Sequence, residues 1–148
     1  MTAELPVGPS SLAGKIIIGV DDAPENLALL KAVIEAQGYT FHGAASGREC
    51  LAFVACLQPT LILLDMEMPG MNGLEVCRAI RSSASPLAVP VIFLSAHREA
   101  EAMRQCFAAG GNDFIVKPFD VIDLLDHIKS WVDRGDAVRA PASISPRA

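Results

Sequence analysis

Several kinds of functional site are excluded by what this sequence lacks. Its four cysteines, Cys50, Cys56, Cys77 and Cys106, form no CxxC pair, and its three histidines lie at no metal-ligand spacing. This pattern argues against a zinc site or a disulfide scaffold and favours free thiols in a reducing compartment. Basic residues are also few. The chain has 12 Lys and Arg and 17 Asp and Glu, which gives a net charge of −5. Because binding to the phosphate backbone of a nucleic acid requires a basic surface, we expect no direct nucleic-acid binding.

Long hydrophobic runs are absent as well, although 51% of the 148 residues are hydrophobic. A membrane helix needs about 18–20 consecutive apolar residues, and the longest runs here, such as Leu61–Leu64, are far shorter. The first residues include Glu4 and prolines instead of a basic start followed by an apolar block, which is not typical of a signal peptide. We therefore expect a cytoplasmic protein without membrane insertion, built as one domain with a full core.

The chain separates by composition into a domain and two ends. Residues 1–14 and 134–148 are rich in small residues and proline, and we interpret them as flexible tails, the second of which could be the start of a linker. Residues 15–133 alternate short apolar runs with longer amphipathic stretches, which predicts β-α units. The predicted strands are Ile16–Val20, Tyr39–Ala44, Leu61–Leu64, Val89–Leu94 and Asp113–Val116.

Helix-start signals support this alternation. Pro24 suits a first helical position, and Ser46-Gly-Arg-Glu49 and Asn72-Gly-Leu-Glu75 have the pattern of capping boxes. Gly38 and Gly110 follow predicted helix ends, where a left-handed residue is favoured. Three of the runs are apolar at nearly every position, as in parallel strands buried on both faces, whereas the mixed second run suits an edge strand. The fold prediction is a doubly wound, three-layer α/β/α domain with an open parallel sheet.

Polar residues follow the predicted strands where the carboxyl ends of a parallel sheet meet. Asp21 and Asp22 follow the first run, Asp65 the third, Ser95 the fourth and Lys117 the fifth. Function in such sheets gathers at this edge. Neighbouring carboxylates repel each other and require positive charge, which Lys117 and a divalent, oxygen-seeking ion such as Mg²⁺ would supply. Carboxylates, a lysine, a hydroxyl and Mg²⁺ together suit phosphoryl transfer.

These segments carry a resemblance to a known family. IIIGVDDAPEN, LILLDMEMPGMNGLEVCRAIR, VIFLSA and GGNDFIVKPF resemble the receiver domain of bacterial two-component response regulators, over essentially all of residues 15–133. The resemblance implies a flavodoxin-like (CheY-like) sheet of five parallel strands in the order 2-1-3-4-5. It also implies that Asp65 accepts a phosphoryl group from a sensor histidine kinase or a histidine phosphotransfer protein, with a downstream effector protein or domain reading the result.

The resemblance further implies a role for each residue of the site. Mg²⁺ (or Mn²⁺) would be held by Asp22, Asp65 and the backbone carbonyl of Glu67, with Asp21 acting through a water. Lys117 and Ser95 would contact phosphoryl oxygens, and the Lys117–Pro118 bond is a candidate cis peptide. Phe114 occupies the switch-aromatic position, where the phenol hydroxyl of tyrosine is missing. Glu67 and His97 stand where relatives tune hydrolysis of the acyl phosphate.

Two other functions share part of this residue pattern. An aspartate-nucleophile phosphatase shares the Asp65-Met-Glu67 pattern but has the opposite order of nucleophile and acidic pair along the chain. A flavin carrier would need a Ser/Thr-rich phosphate loop after the first strand, where Asp21 and Asp22 stand. A phosphorylation-independent binding module stays open. The sequence also leaves open which kinase is the cognate one, what the output is and whether the domain forms a homodimer. It leaves open, too, whether this receiver stands alone or belongs to a longer protein.

Overall fold

Strands and helices alternate strictly along the chain in a computed structural model that describes residues 14–83 and 88–139, with side chains to residue 135 in the last segment. In these residues the elements are β1 (Ile16–Val20), α1 (Pro24–Glu35), β2 (Thr40–Ala44), α2 (Gly47–Cys56), β3 (Leu61–Asp65), α3 (Gly73–Ser82), β4 (Val91–Ser95), α4 (Ala100–Ala108), β5 (Asp113–Val116) and α5 (Val121–Arg139). The predicted strands are confirmed to within two residues at each end.

All four strand pairings are parallel, and the strand order is β2-β1-β3-β4-β5. This is the predicted doubly wound topology. β3 and β4 are buried at every position, as their continuous apolar sequences predict. The mixed sequence of β2 lies at an edge of the sheet, as expected. The carboxyl ends of β1 and β3 flank each other because Val20 is in register with Leu64.

Two apolar cores lie on opposite faces of the sheet, because alternate side chains of each strand point to opposite sides. The first joins the sheet to α2, α3 and α4, and its buried members include Ile18, Ile62, Phe93, Cys50, Val76, Cys77, Ile80 and Cys106. The second joins the sheet to α1 and α5, and its buried members include Ile17, Leu63, Ile92, Leu30, Ile34, Leu124, Ile128 and Val132. Burying each large aliphatic side chain contributes about 1.5–3 kcal/mol. The result is the predicted three-layer arrangement.

The local signals at helix ends are mostly confirmed. Asn72 and Glu75 form both hydrogen bonds of a capping box at the start of α3. At α2, Ser46 Oγ accepts the Glu49 N–H at 3.2 Å, but the Glu49 carboxylate accepts the Ala45 N–H instead of that of Ser46. The predicted reciprocal box is therefore displaced by one residue there. Gly38 has a positive φ of 104° just beyond α1, as expected for a helix-terminating glycine.

The predicted domain limit at residue 133 falls inside α5, which continues to Arg139. The start of the expected C-terminal tail is therefore helical. Within this helix the Arg134 guanidinium stacks over the Trp131 ring, 4.1 Å from the ring centroid. The expected N-terminal tail, apart from Gly14, lies outside the described residues, as do residues 140–148. In the described part of the chain, no helix combines the length and apolar character needed to cross a membrane.

Candidate functional site

Three carboxylates converge at the carboxyl edge of the sheet. Asp65 ends β3, and Asp21 and Asp22 follow β1, its neighbour in the sheet. One carboxylate oxygen from each of the three lies within 4.8 Å of the others. Asp21 and Asp65 are only 2% and 4% exposed, whereas Asp22 faces solvent. The site is therefore a mostly buried acidic pocket with one open side.

Both oxygens of Asp21 are held by hydrogen bonds. The Ala23 N–H donates to Oδ1 at 2.9 Å, and Asn26 Nδ2 donates to Oδ2 at 3.0 Å. Asn26 lies in the first turn of α1, which starts at Pro24. The local turn thus orients Asp21 before any ligand is bound. Asp65 accepts more weakly, from the Glu67 N–H at 3.2 Å.

Lys117 brings the positive charge to this pocket from the end of β5. Its Nζ lies 3.3 Å from Asp65 Oδ1 and 3.5 Å from Asp21 Oδ2, and its side chain is 24% exposed. The Lys117 N–H donates to the Ser95 carbonyl at 2.7 Å, and the Lys117–Pro118 peptide bond is cis. One ammonium group therefore faces two buried carboxylates.

This single charge does not balance the pocket. Burial raises the pKa of Asp65 from 3.8 to about 6, with a smaller contribution from the nearby Asp21 charge, although Lys117 and the Glu67 N–H act in the opposite direction. A raised pKa means that the ionised carboxylate is under-stabilised. The donor set consists of oxygen atoms only, which suits Mg²⁺ better than a soft metal. The acidic cluster therefore fits a divalent cation that supplies the missing charge.

Ser95 ends β4 beside the acidic pocket and is completely buried. Its hydroxyl donates to Glu67 Oε2 at 2.7 Å and accepts the His97 N–H at 3.0 Å. The His97 ring lies between two carboxylates, with Nε2 3.6 Å from Glu67 Oε2 and Nδ1 3.4 Å from Glu99 Oε2. Ser95, Glu67 and His97 thus form one connected polar cluster.

The structure brings together most of the residues that the sequence singled out. Asp21, Asp22, Asp65 and Lys117 share the acidic pocket, and Glu67 links that pocket to the Ser95 cluster through its backbone and its side chain. Phe114 is different, because it lies on β5 half-buried and packs against the core under α2, α3 and α4.

Sequence reasoning missed two contributors to the site. Asn26 donates a hydrogen bond to Asp21. Its amide side chain, in the first turn of the helix that follows Asp21 and Asp22, was the sequence signal that could have predicted this contact. Gly73 begins α3 where an added Cβ would collide with the Asp65 carbonyl oxygen and lie 2.9 Å from Met66 Cα. Glycine is therefore required there so that α3 can approach the end of β3, and its position directly after the capping Asn72 was the available signal.

Curated relatives are similar to this chain over most of its length. The DNA-binding dual master transcriptional regulator RpaA of Synechocystis is 32% identical over 129 residues, which cover 87% of this chain and 54% of that protein. The transcriptional regulatory protein ResD of Bacillus subtilis is 38% identical over 118 residues, covering 80% of this chain and 48% of that protein. The chain thus spans about half the length of the curated relatives it matches.

These relatives correct one expectation. The sequence predicted no direct nucleic-acid binding, and that prediction is wrong, because RpaA and the MtrA protein of Mycolicibacterium smegmatis are both named as DNA-binding regulators. The inference used the net charge of −5. Net charge averages over a whole surface, whereas DNA binding depends on local charge. The net charge also describes only this chain, which matches about half the length of each relative.

Solved receiver domains share the fold. A CheY-like receiver domain protein of Methanospirillum hungatei superposes with a TM-score of 0.77 at 30% identity, covering 82% of this chain and 96% of that one. The chemotaxis protein CheY4 of Vibrio cholerae gives 0.75 at 28% identity, with 78% and 97% covered. The family model described as the response regulator receiver domain matches residues 17–129. The chain therefore belongs to the response regulator receiver domain family.

Proposed function

We propose that this receiver domain is a phosphorylation-activated switch in which Asp65 accepts a phosphoryl group from a histidine kinase or a histidine phosphotransfer protein in a Mg²⁺-dependent step. The observation that carries the proposal is the convergence of Asp65, Asp21, Asp22 and Lys117 at one sheet edge. Asp65 is the candidate acceptor because it ends β3, the central strand of the sheet, and its Oδ1 lies 3.3 Å from Lys117 Nζ. Family membership supports the same assignment.

The donor set fits a magnesium ion. Asp22, Asp65 and the backbone carbonyl of Glu67 are the proposed ligands, with Asp21 acting through a water. Bound Mg²⁺ supplies positive charge that offsets both the buried carboxylates and the incoming phosphoryl oxygens. Asn26 keeps Asp21 oriented through its 3.0 Å hydrogen bond, so that this side of the site is organised in advance.

The transfer itself exchanges one bond for another. An Asp65 carboxylate oxygen attacks the phosphorus of a phosphohistidine, an O–P bond forms, the N–P bond breaks, and the histidine nitrogen leaves with the electron pair. The reacting group spreads negative charge over its oxygens. The Lys117 ammonium, 3.3 Å from Asp65 Oδ1, is placed to donate to one of these oxygens. The Ser95 hydroxyl is the proposed donor to another.

Phosphorylation then changes the charge at the sheet edge. It adds about −1.5 to −2 charges and three acceptor oxygens. Ser95 and the start of α4 are the elements beside the pocket that can respond to that charge. We propose that the resulting shift alters the face formed by α4, β5 and α5, which partners read. Arg98, Glu101, Arg104, Asp123 and Asp126 are exposed residues of this region.

Intact-mass spectrometry tests the proposal. The protein is incubated with Mg²⁺ and acetyl phosphate, and in parallel with a histidine-phosphorylated phosphotransfer protein. We expect the mass of one phosphoryl group to be gained by the wild type, and lost in Asp65→Asn or when the metal is chelated. Asp126→Asn, which removes an exposed carboxylate on α5, is the matched control for the small-molecule donor and should still gain the group from acetyl phosphate.

Three results would contradict the proposal. If the wild type gains no mass with either donor, the domain is a phosphorylation-independent binding module. If Asp65→Asn still gains one phosphoryl group, the acceptor is a different residue. Steady release of inorganic phosphate from a phosphomonoester would instead indicate a phosphatase.

A further inference from the structure

The Ser95 hydroxyl is fully committed in this structure. Its only proton is donated to Glu67 Oε2 at 2.7 Å, and its oxygen accepts the His97 N–H at 3.0 Å. Ser95 is completely buried, so its hydroxyl has no solvent to bond with if it leaves these partners. The serine proton is therefore not available to a group on Asp65 while the Glu67 hydrogen bond lasts.

Glu67 is well suited to hold that proton. A carboxylate forms stronger hydrogen bonds than a neutral acceptor, and 2.7 Å is a short distance for such a bond. Its backbone N–H contacts Asp65 Oδ1 at 3.2 Å, which places Glu67 between the acceptor aspartate and the serine. The Glu67 side chain is 41% exposed, so that it has room to swing toward solvent.

We propose that Glu67 is a positioning residue that holds the domain in its resting state through the Ser95–Glu67 hydrogen bond, which we call the latch. This inference rests on the proposed function. A phosphoryl group on Asp65 and the Glu67 carboxylate are both anionic acceptors, and Ser95 has a single proton to give. Phosphorylation therefore opens the latch by competition for the Ser95 proton. The free energy needed to break the latch makes binding of a phosphoryl group at the site less favourable.

A double-mutant cycle separates the latch from simple charge repulsion. The probe is beryllium trifluoride with Mg²⁺, a phosphoryl mimic, titrated by amide NMR on wild type, Glu67→Ala, Ser95→Ala and the double variant. We expect Glu67→Ala to tighten binding roughly tenfold, equivalent to about 1.4 kcal/mol. In the Ser95→Ala background the same substitution should tighten binding much less, because only the charge repulsion between Glu67 and the mimic is then relieved and no latch remains to be opened.

Two variants sharpen the result. Glu67→Gln retains an acceptor oxygen without the charge, so its effect should fall between those of wild type and Glu67→Ala. Glu99→Gln removes the other carboxylate beside His97, 3.4 Å from Nδ1, and leaves the latch in place. Its affinity for the mimic should match the wild type.

A measurement without metal or mimic tests the hydrogen bond itself. Urea unfolding of the same four proteins in EDTA should give non-additive changes in midpoint, since each single substitution already breaks the latch. Additive effects in both cycles would overturn the latch while leaving the phosphoacceptor assignment intact. A wild type that binds no mimic at all would overturn the proposed function, and the latch with it.

Discussion

Replacing Asp65 by asparagine should stabilise the metal-free domain at neutral pH. Burial raises the pKa of Asp65 from 3.8 to about 6 against the opposing effect of Lys117, so the native state holds this ionised carboxylate at a cost. Each pH unit of difference between the native and unfolded states corresponds to about 1.36 kcal/mol. The cost is therefore on the order of 3 kcal/mol, and asparagine, which resembles the neutral acid in shape, removes it.

The pH dependence gives this prediction its sign. Between about pH 4 and pH 6 the native state binds a proton at Asp65 that the unfolded chain does not, so wild-type stability at this site falls as the pH rises. Above about pH 6 both states are ionised and the full cost applies. The free energy of unfolding of Asp65→Asn should exceed that of wild type by about 3 kcal/mol near neutral pH, and the difference should approach zero near pH 4.

Urea unfolding in EDTA, followed by fluorescence of the single tryptophan, measures this difference. Trp131 is a useful reporter because its indole N–H donates to Asp113 at 2.9 Å and Arg134 stacks on its ring. Asp126→Asn is the control, since an exposed substitution should change stability by less than about 0.5 kcal/mol at any pH. A difference that stays constant with pH, or an Asp65→Asn protein less stable than wild type near neutrality, would refute the electrostatic reasoning.

Two further substitution pairs test how the scaffold supports the site. Arg81→Ala should lower the free energy of unfolding, measured by the same urea titration, by about 2–4 kcal/mol. The reason is that the Arg81 guanidinium donates three hydrogen bonds, to Gly110 O, Val89 O and Asn112 Oδ1. Arg78→Ala, at an exposed position of the same helix, should change the free energy of unfolding little. Gly73→Ala should cost several kcal/mol, on the order of an overpacked core, and abolish phosphoryl uptake by mass spectrometry, because its Cβ would meet the backbone of Asp65. Gly135→Ala, in α5 with open space around the added Cβ, should instead raise stability by about 0.5–1 kcal/mol; equal effects at both glycines would contradict this account.

Much of the fold was predictable because its signals are local. β3 and β4 are apolar throughout, which only a strand covered on both faces tolerates, and both are buried at every position. The acidic pocket followed from topology, since parallel strands bring their carboxyl ends to one edge. Polar residues that end β3 or directly follow β1 and β5 were therefore expected to meet there. The chemical role of each residue came from the family resemblance and not from periodicity.

What the sequence left hidden depends on side-chain partners and on long-range contacts. The Glu67–Ser95 hydrogen bond joins residues 28 positions apart and depends on the rotamers of both. The continuation of α5 to Arg139 was missed because residues 134–148, taken together, are mostly small or polar and contain proline, and that average concealed the helical residues 134–139. Composition alone could not show that Arg134 stacks on Trp131.

The hydrogen bonds that hold α5 and α4 to the sheet differ, and this difference indicates where motion should begin. Asp113 ties β5 to α5, because its Oδ2 lies 2.6 Å from His127 Nδ1 and accepts the Trp131 indole N–H. Breaking this tie would leave the half-buried side chains of His127 and Trp131 without this partner, so β5 and α5 should move together.

The start of α4 is held differently. Its N-cap residue, Glu99, makes no side-chain capping hydrogen bond, and its carboxylate lies against His97, whose ring also faces Glu67. Because the His97 N–H donates to the Ser95 hydroxyl, a displacement of Ser95 reaches this segment directly. We therefore expect that opening the latch shifts the β4–α4 loop and the first turn of α4 before it shifts α5. Amide exchange in the presence of the phosphoryl mimic should change first between residues 96 and 103, and a change confined to α5 would contradict this order.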